Sequence, residues 1–284
     1  MSHPIKDWVA SAPDARQREL RQAVHTVLVA VATFRGAGLE VVMKGGILLA
    51  VEYAGDRYTK DVDFSTTARV VDIPPERFEA TLNAALASSS EQLEYGLDCR
   101  VQSKELEPPG EDRTWPTLRL KVAYAPFSDT ARQRHLVRGK ASDTVAVEIS
   151  YNEVITASEV IDLGDGLEIE ASTLADLVAE KFRAMIQQPV RKRYRRQDAY
   201  DLYCLLEAHG SRLEVLRDAV REALLRKSEG RGLVVDRESL RNPEVERRSK
   251  AEYPQLAAEI ARALPEFDEV YGKVRAYYEG MGWA

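Results

Sequence analysis

Residues 42–65 read VMKGGILLAVEYAGDRYTKDVDFS. A short apolar strand pattern runs into Gly45 and Gly46, residues 46–54 suit a helix, GDRYTK is a polar turn, and DVDFS is the next strand. Side chains two apart on a strand share a face, so Asp61 and Asp63 project together while Val62 and Phe64 face the other way. Two parallel carboxylates repel each other unless a divalent cation sits between them. Hard, oxygen-seeking Mg²⁺, or Mn²⁺ in its place, binds through one or two carboxylates plus substrate phosphates. A third donor is available in TVAVEISYNE, where Val145, Val147 and Ile149 alternate inward and Glu148 stands on the opposite face; the alternative is a solvated strand face. Gly45 and Gly46 let a phosphate approach the backbone where a helix begins, although Gly-Gly also serves as a plain turn. Lys44 and Arg57 bracket that loop and suit the neutralisation of a triphosphate.

Working outward, apolar spacing predicts helices over residues 14–34 and 75–88 and strands at LEYGLDCRV, TLRLKVAY and TVAVEISY. ELEPPGEDRTWP reads as an exposed loop, ARQRHLVRGK as a solvated basic loop, and VIDLGDGLEIEAS as a hairpin or linker. From Thr173 the pattern is helical, with a break at KSEGRGL. The shift near residue 168 predicts an α+β chain: residues 1–168 as an α/β lobe with a mixed sheet, and residues 169–284 as an all-helical lobe. A cleft between two such lobes is the expected place for a ligand.

The helical half carries charges where apolar residues belong. Thr173 and Asp176 read as a capping pair for a helix with the stripe Leu174, Leu177, Val178, Phe182, Met185 and Ile186, and Lys181 occupies a position of that stripe. Asp198 and Asp201 share a face with Leu202, Leu205 and Leu206. Such charges form either a structural ion-pair network or a site with Lys181 on a triphosphate and Asp198 on the acceptor. The preceding run RKRYRR, Arg191, Lys192, Arg193, Tyr194, Arg195 and Arg196, suits an RNA backbone, with Tyr194 able to stack on a base; it also suits an exposed helix start.

The 284 residues carry a formal net charge of −6, so any polyanion must be met by a local patch. The N-terminal stretch lacks secretory order and carries acidic residues that a transit peptide avoids, and no apolar run approaches bilayer length, so a cytoplasmic protein without membrane partners is expected. Cys99 and Cys204 are too few for a disulfide framework or thiolate zinc site, and the four histidines are scattered without zinc spacing.

The order strand, Gly-Gly, helix, basic turn, Asp-x-Asp resembles the DNA polymerase β-like nucleotidyltransferases. More closely, Lys44, Gly45, Gly46, Arg57, Thr59, Asp61, Asp63 and Phe64 fill the places of the AbiEii/AbiGii toxin signature, K-G-G, a short helix, then R-x-[ST]-x-D-[IVL]-D-F. AEKFRAM and RRQDAYDLY are similar to the C-terminal signature of the same type IV toxin–antitoxin family, with Gln197 where an arginine commonly precedes the first aspartate. With the residue readings above, the resemblance points to an NTP substrate: Asp61 and Asp63, with Glu148 as the candidate third donor, would hold the metal, and Lys44, Gly45, Gly46, Arg57, Thr59 and Lys181 would contact the nucleotide. It favours Asp61, Asp63, Lys181 and Asp198 as catalytic, an RNA acceptor such as the tRNA 3′ end, phage defence, and a cognate antitoxin encoded nearby. Thr59 stands two residues before Asp61, where phosphorylation would add negative charge beside the metal, as in some relatives. Competing readings are a small-molecule or protein nucleotidyltransferase, which would not need the basic run, and a non-catalytic RNA- or protein-binding module, which would not need the paired aspartates.

Overall fold

In the computed structural model, residues 4–53, 55, 57–109, 113–164 and 166–283 are described; His3 and the tip of the Pro-Pro-Gly loop, 110–112, lie outside them. The chain forms two compact units: Met1–Val51, Thr59–Glu153 and Glu159–Ala171 in the first, Glu52–Tyr58, Val154–Ser158 and Ser172–Ala284 in the second.

In the first unit, α1 (Pro4–Ala10) and α2 (Ala15–Ala32) precede β1 (Val42–Lys44), α3 (Gly45–Glu52) and β2 (Asp61–Ser65). Then come α4 (Pro75–Leu93), β3 (Leu97–Glu107), β4 (Thr117–Pro126), α5 (Thr130–Val137), β5 (Thr144–Ser150), β6 (Ser158–Gly164) and β7 (Leu167–Ser172). One seven-stranded mixed sheet results, in the order β3-β4-β5-β2-β1-β7-β6. Strand β2 runs antiparallel to β1 and parallel to β5, and β3, β4 and β5 are antiparallel neighbours.

Alternation makes one face of this sheet apolar. Val62, Phe64, Leu118, Leu120, Val122, Val145, Val147 and Ile149 are almost wholly buried, as are Val24 and Leu28 of α2 and Phe78, Leu82 and Leu86 of α4. Helix α2 begins where Asp14 accepts from the Gln17 amide at 2.8 Å, beyond Pro13. The same alternation puts Asp61, Asp63, Glu148, Ser150, Arg119 and Lys121 on the other face.

Three segments differ from their sequence expectation. The first four residues of LEYGLDCRV are not strand, because Leu93 ends α4 and β3 begins at Leu97. Glu105–Glu107 belong to β3 rather than to a loop, because the β3–β4 ladder extends through Glu105↔Arg119 to Glu107↔Thr117. Charges on an edge strand are a usual guard against edge-to-edge pairing, and they mask the strand pattern. Residues 130–137 form α5 rather than a solvated loop: Asp129 accepts from the amides of Ala131 and Arg132, and Leu136 packs with Ala123 and Ala125.

The second unit contains α6 (Leu174–Ile186), α7 (Gln188–Arg191), α8 (Arg196–Val215), α9 (Arg217–Glu229), α10 (Pro243–Lys250) and α11 (Phe267–Glu279). Helix α6 packs against α8 and α9, and α11 packs on α8; the α6 stripe, Leu202 and Leu205 of α8, Leu224 of α9 and Val270 and Val274 of α11 are all buried. Phe182 lies against Tyr277 and Tyr278, with centroids at 6.2 and 5.2 Å. The break expected at KSEGRGL is the α9 C-terminus at Gly230.

Candidate active site

The Asp-x-Asp strand sits at the centre of the polar face. Register aligns Lys44 of β1, Asp63 of β2, Glu148 of β5, Arg119 of β4 and Glu105 of β3 in one row across five strands. One step along, Asp61 aligns with Ala146 and Lys121. Asp61 is exposed, and no cation pairs with it among the described residues.

Gly45 explains the first glycine of the pair. Its φ is +72°, and a Cβ built there would lie 2.1 Å from the Asp63 carboxylate oxygen Oδ2. Only a residue without a side chain permits this approach, which sets Asp63 against the first turn of α3. Gly46 follows as the second residue of that helix. Lys44 reaches across β2, donating from Nζ to Ser150 Oγ at 3.1 Å. The half-buried Thr59 donates from Oγ1 to the Asp61 carbonyl at 3.3 Å.

Glu148 shares the face of Asp63 but is engaged by Arg119, Nε to Oε1 at 3.0 Å; Arg119 also pairs with Glu107. The Arg119 Nε–H makes no aligned hydrogen bond, so its hold on Glu148 is ionic. Among the described residues no three His, Cys, Asp or Glu side chains form a ready metal cluster. The structure therefore brings Asp61 and Asp63 together and leaves Glu148 on an arginine. Two hard carboxylates on one face, one of them uncompensated, are still a donor set suited to Mg²⁺ that shares its coordination with substrate phosphates. Nothing in an isolated strand marks Arg119 or Lys121 as more than solvated charges; the available signal is their alternation with Leu118, Leu120 and Val122.

The second unit gathers its own charges. Arg57 donates to both oxygens of Asp201, Nε at 3.1 Å and Nη2 at 3.3 Å. Lys181 Nζ donates to Asp201 Oδ2 at 2.8 Å and Asp198 Oδ1 at 3.2 Å. Lys181, Asp198 and Asp201 are all buried. Burial disfavours the Lys181 ammonium, but Asp201 and Asp198 outweigh it and hold its pKa above the ordinary lysine value. Burial likewise opposes an ionised Asp201, and Lys181 and Arg57 outweigh it, so its pKa lies below the ordinary carboxylate range. Attraction to Asp201 raises the Arg57 pKa. Asp198 differs from Asp201: its Oδ2 is buried without a hydrogen bond and pairs only at 3.8 Å with Arg195 Nε.

Of the basic run, Arg196 is spent on Glu252 and Glu259, at 2.8 and 2.9 Å. Arg191, Lys192 and Arg193 are exposed, and Tyr194, 48% exposed, lies under the Arg248 guanidinium at 5.6 Å. Asp176 caps less than its sequence position suggests. Its amide donates to Thr173 Oγ1, while its carboxylate accepts from Thr156 and pairs with Lys227 at 3.0 Å. No helix among the described residues is long and apolar enough to cross a membrane.

Against this geometry, the AbiEii family model, described as the nucleotidyl transferase AbiEii toxin of type IV toxin–antitoxin systems, matches residues 26–273. No curated protein matches the chain in sequence. Among solved structures, JHP933 from Helicobacter pylori is similar over 95% of this chain and 93% of its own, at 13% identity and a TM-score of 0.55. Another H. pylori protein, described as a putative nucleotidyltransferase, is similar over 92% of both chains at 11% identity and a TM-score of 0.49. The likeness to JHP933 bears on the fold; the family match, spanning most of the chain, bears on the activity. The chain belongs to the AbiEii nucleotidyltransferase toxins of type IV toxin–antitoxin systems.

Proposed function

We propose that this nucleotidyltransferase uses a divalent metal, Mg²⁺ or Mn²⁺, to move the NMP of an NTP onto an RNA acceptor, the tRNA 3′ end being the leading candidate, and so blocks translation. The observation that carries the reading is Asp61 beside Asp63 on β2, with Gly45 bare where Asp63 meets the start of α3. Asp61 and Asp63 would hold the metal, and Glu148 would join them once released from Arg119. The metal's contribution when bound is charge: it lowers the cost of an ionised acceptor oxygen and of charge on the departing pyrophosphate.

The residues of the chain do the positioning. The amides at Gly45 and Gly46 and the Lys44 ammonium suit the NTP phosphates, and Thr59 stands at the entrance to β2. The acceptor oxygen bonds to the α-phosphorus as the bond to the bridging oxygen breaks. Pyrophosphate leaves with that electron pair, and the hydroxyl proton passes to water.

Lys181, Asp198 and Arg57 belong to the proposed machinery as well. Asp198 would orient Lys181, from which it accepts, or the acceptor, whereas Arg57 and Lys181 are already balanced by Asp201 and Asp198. Arg191, Lys192, Arg193, Tyr194, Arg195 and Arg196 are proposed to contact the RNA backbone, the exposed members contributing most. A role in phage defence and a cytoplasmic location complete the reading.

Incubation of the protein with Mg²⁺, each α-labelled NTP and total bacterial RNA, beside Asp61→Ala, tests it. Label is expected in a tRNA-sized band only with intact Asp61. Label on a protein or small molecule instead would replace the acceptor and keep the chemistry. Regulation by a cognate antitoxin is proposed to act at Thr59, where a phosphate adding about −1.5 to −2 charge would repel the NTP. Intact-mass measurement after co-expression with the neighbouring gene should show one added phosphate, absent in Thr59→Val.

A further inference from the structure

We infer that Lys121, with Arg119 beside it on β4, forms a second phosphate subsite that grips the backbone of the acceptor RNA next to its reacting hydroxyl. The inference rests on the transfer reaction proposed above and adds to it the residues that favour a nucleic-acid acceptor over a small one.

The sheet order supplies the argument. Gly45, Gly46 and the start of α3 flank the aspartates on the β1 side, while Arg119 and Lys121 flank them on the far side, beyond β5. An in-line displacement needs the attacking and leaving oxygens on opposite sides of the phosphorus. With pyrophosphate toward the glycines, the acceptor comes over β5 and β4. The residue between Asp61 and Lys121 in the register row is Ala146, whose methyl group leaves the surface low there. Two strand spacings, roughly 10 Å, separate Asp61 from Lys121 along that row, which leaves room for a sugar between them.

Lys121 is exposed, and its ammonium has no ion pair or hydrogen bond among the described residues, unlike Lys44, Lys181 and Lys227. Arg119 is held by Glu148 and Glu107 instead, and Glu105 shares its row. The flank is therefore not a broad basic surface, and its contact with RNA is confined to one or two phosphates. Recruitment of Glu148 to the metal would release part of Arg119, so loading the metal and opening the phosphate contact would be one exchange.

Equilibrium binding tests this without relying on turnover. Fluorescence anisotropy of 5′-fluorescein-labelled total tRNA would be titrated with wild type, Lys121→Gln and the exposed surface control Lys140→Gln, in Mg²⁺ at several salt concentrations, with NTP binding measured in parallel. The expected result is about tenfold weaker tRNA binding for Lys121→Gln and a log-log salt slope smaller by about 1, with NTP affinity unchanged and Lys140→Gln like wild type. Unchanged tRNA affinity and slope in Lys121→Gln, while wild type still labels RNA, would overturn the subsite and leave the transfer reaction standing. Equal losses in both variants would reduce the effect to net charge and overturn it too. A wild type that binds no tRNA and labels only a small molecule would overturn the RNA acceptor and this inference together.

Discussion

At Gly45, backbone and site coincide. A methyl group there meets both a left-handed backbone and the Asp63 carboxylate, so Gly45→Ala must displace one or the other. The strain alone is of order 1–3 kcal/mol. Gly45→Ala is expected to lower transfer by at least about tenfold while the melting temperature moves only a few degrees; a fully active variant would mean that Asp63 is free to move. Asp198 and Asp201 provide a second contrast. Asp201 accepts from both Arg57 and Lys181, and its loss leaves buried cations uncompensated at a cost of about 3–5 kcal/mol. Asp198 already has one vacant oxygen. Asp201→Asn should therefore depress thermal stability well beyond Asp198→Asn, whereas Asp198→Asn should depress transfer at nearly wild-type stability. Equal melting temperatures would refute the division of labour. The aspartate pair and its glycines were legible in sequence because strand period and glycine chemistry are local properties. Arg119 was not, since its importance comes from facing Glu148 across a ladder that sequence alone does not register.

Among the elements, β2 and β5 form a parallel pair that places Asp63 beside Glu148, and β4 then delivers Arg119 to Glu148. Removal of this competitor in Arg119→Gln should strengthen Mn²⁺ binding, read by calorimetry or by loss of the free-ion paramagnetic resonance signal. Unchanged affinity would mean that Glu148 is no ligand. In the helical unit, α6 and α8 meet through Lys181, Asp198 and Asp201, and the pKa directions fix the pH dependence. Asp201 has a depressed folded pKa, so its contribution is complete above the ordinary aspartate range and is lost as pH falls through the depressed value. Lys181 has a raised folded pKa, so its contribution is complete below the ordinary lysine range and is lost as pH rises through the raised value. Acid titration followed by far-ultraviolet circular dichroism should show helix loss below the ordinary aspartate range, with a shallower pH dependence in Asp201→Asn. The helices were legible from period, apart from α1, where no helix was expected, and α5, whose weak apolar pattern is carried by a cap and one buried leucine. Strand β3 was legible only in part, because charged edge residues break the alternation that identifies a strand.

Over the whole molecule, the formal charge of −6 opposes binding of RNA, so affinity has to come from few, local contacts. The exposed cations proposed for that role are Lys121 and the outward members of the 191–196 run, since Arg196 and Lys181 are already paired. Each phosphate neutralised contributes about 0.7–0.9 to the salt slope. Three or four such contacts would give a slope near −3, so a change from 50 to 200 mM salt should weaken RNA binding by roughly fiftyfold. Transfer measured at subsaturating RNA should fall in parallel with binding, whereas at saturating RNA it should fall much less. A slope near zero would move recognition from phosphates to bases, and Tyr194 would then be the first residue to replace. A slope far steeper than −3 would mean that paired arginines such as Arg196 exchange their carboxylates for phosphates on binding. Arg196→Gln would then take up that excess, and its effect on the slope separates a surface that is ready-made from one that RNA has to unpair.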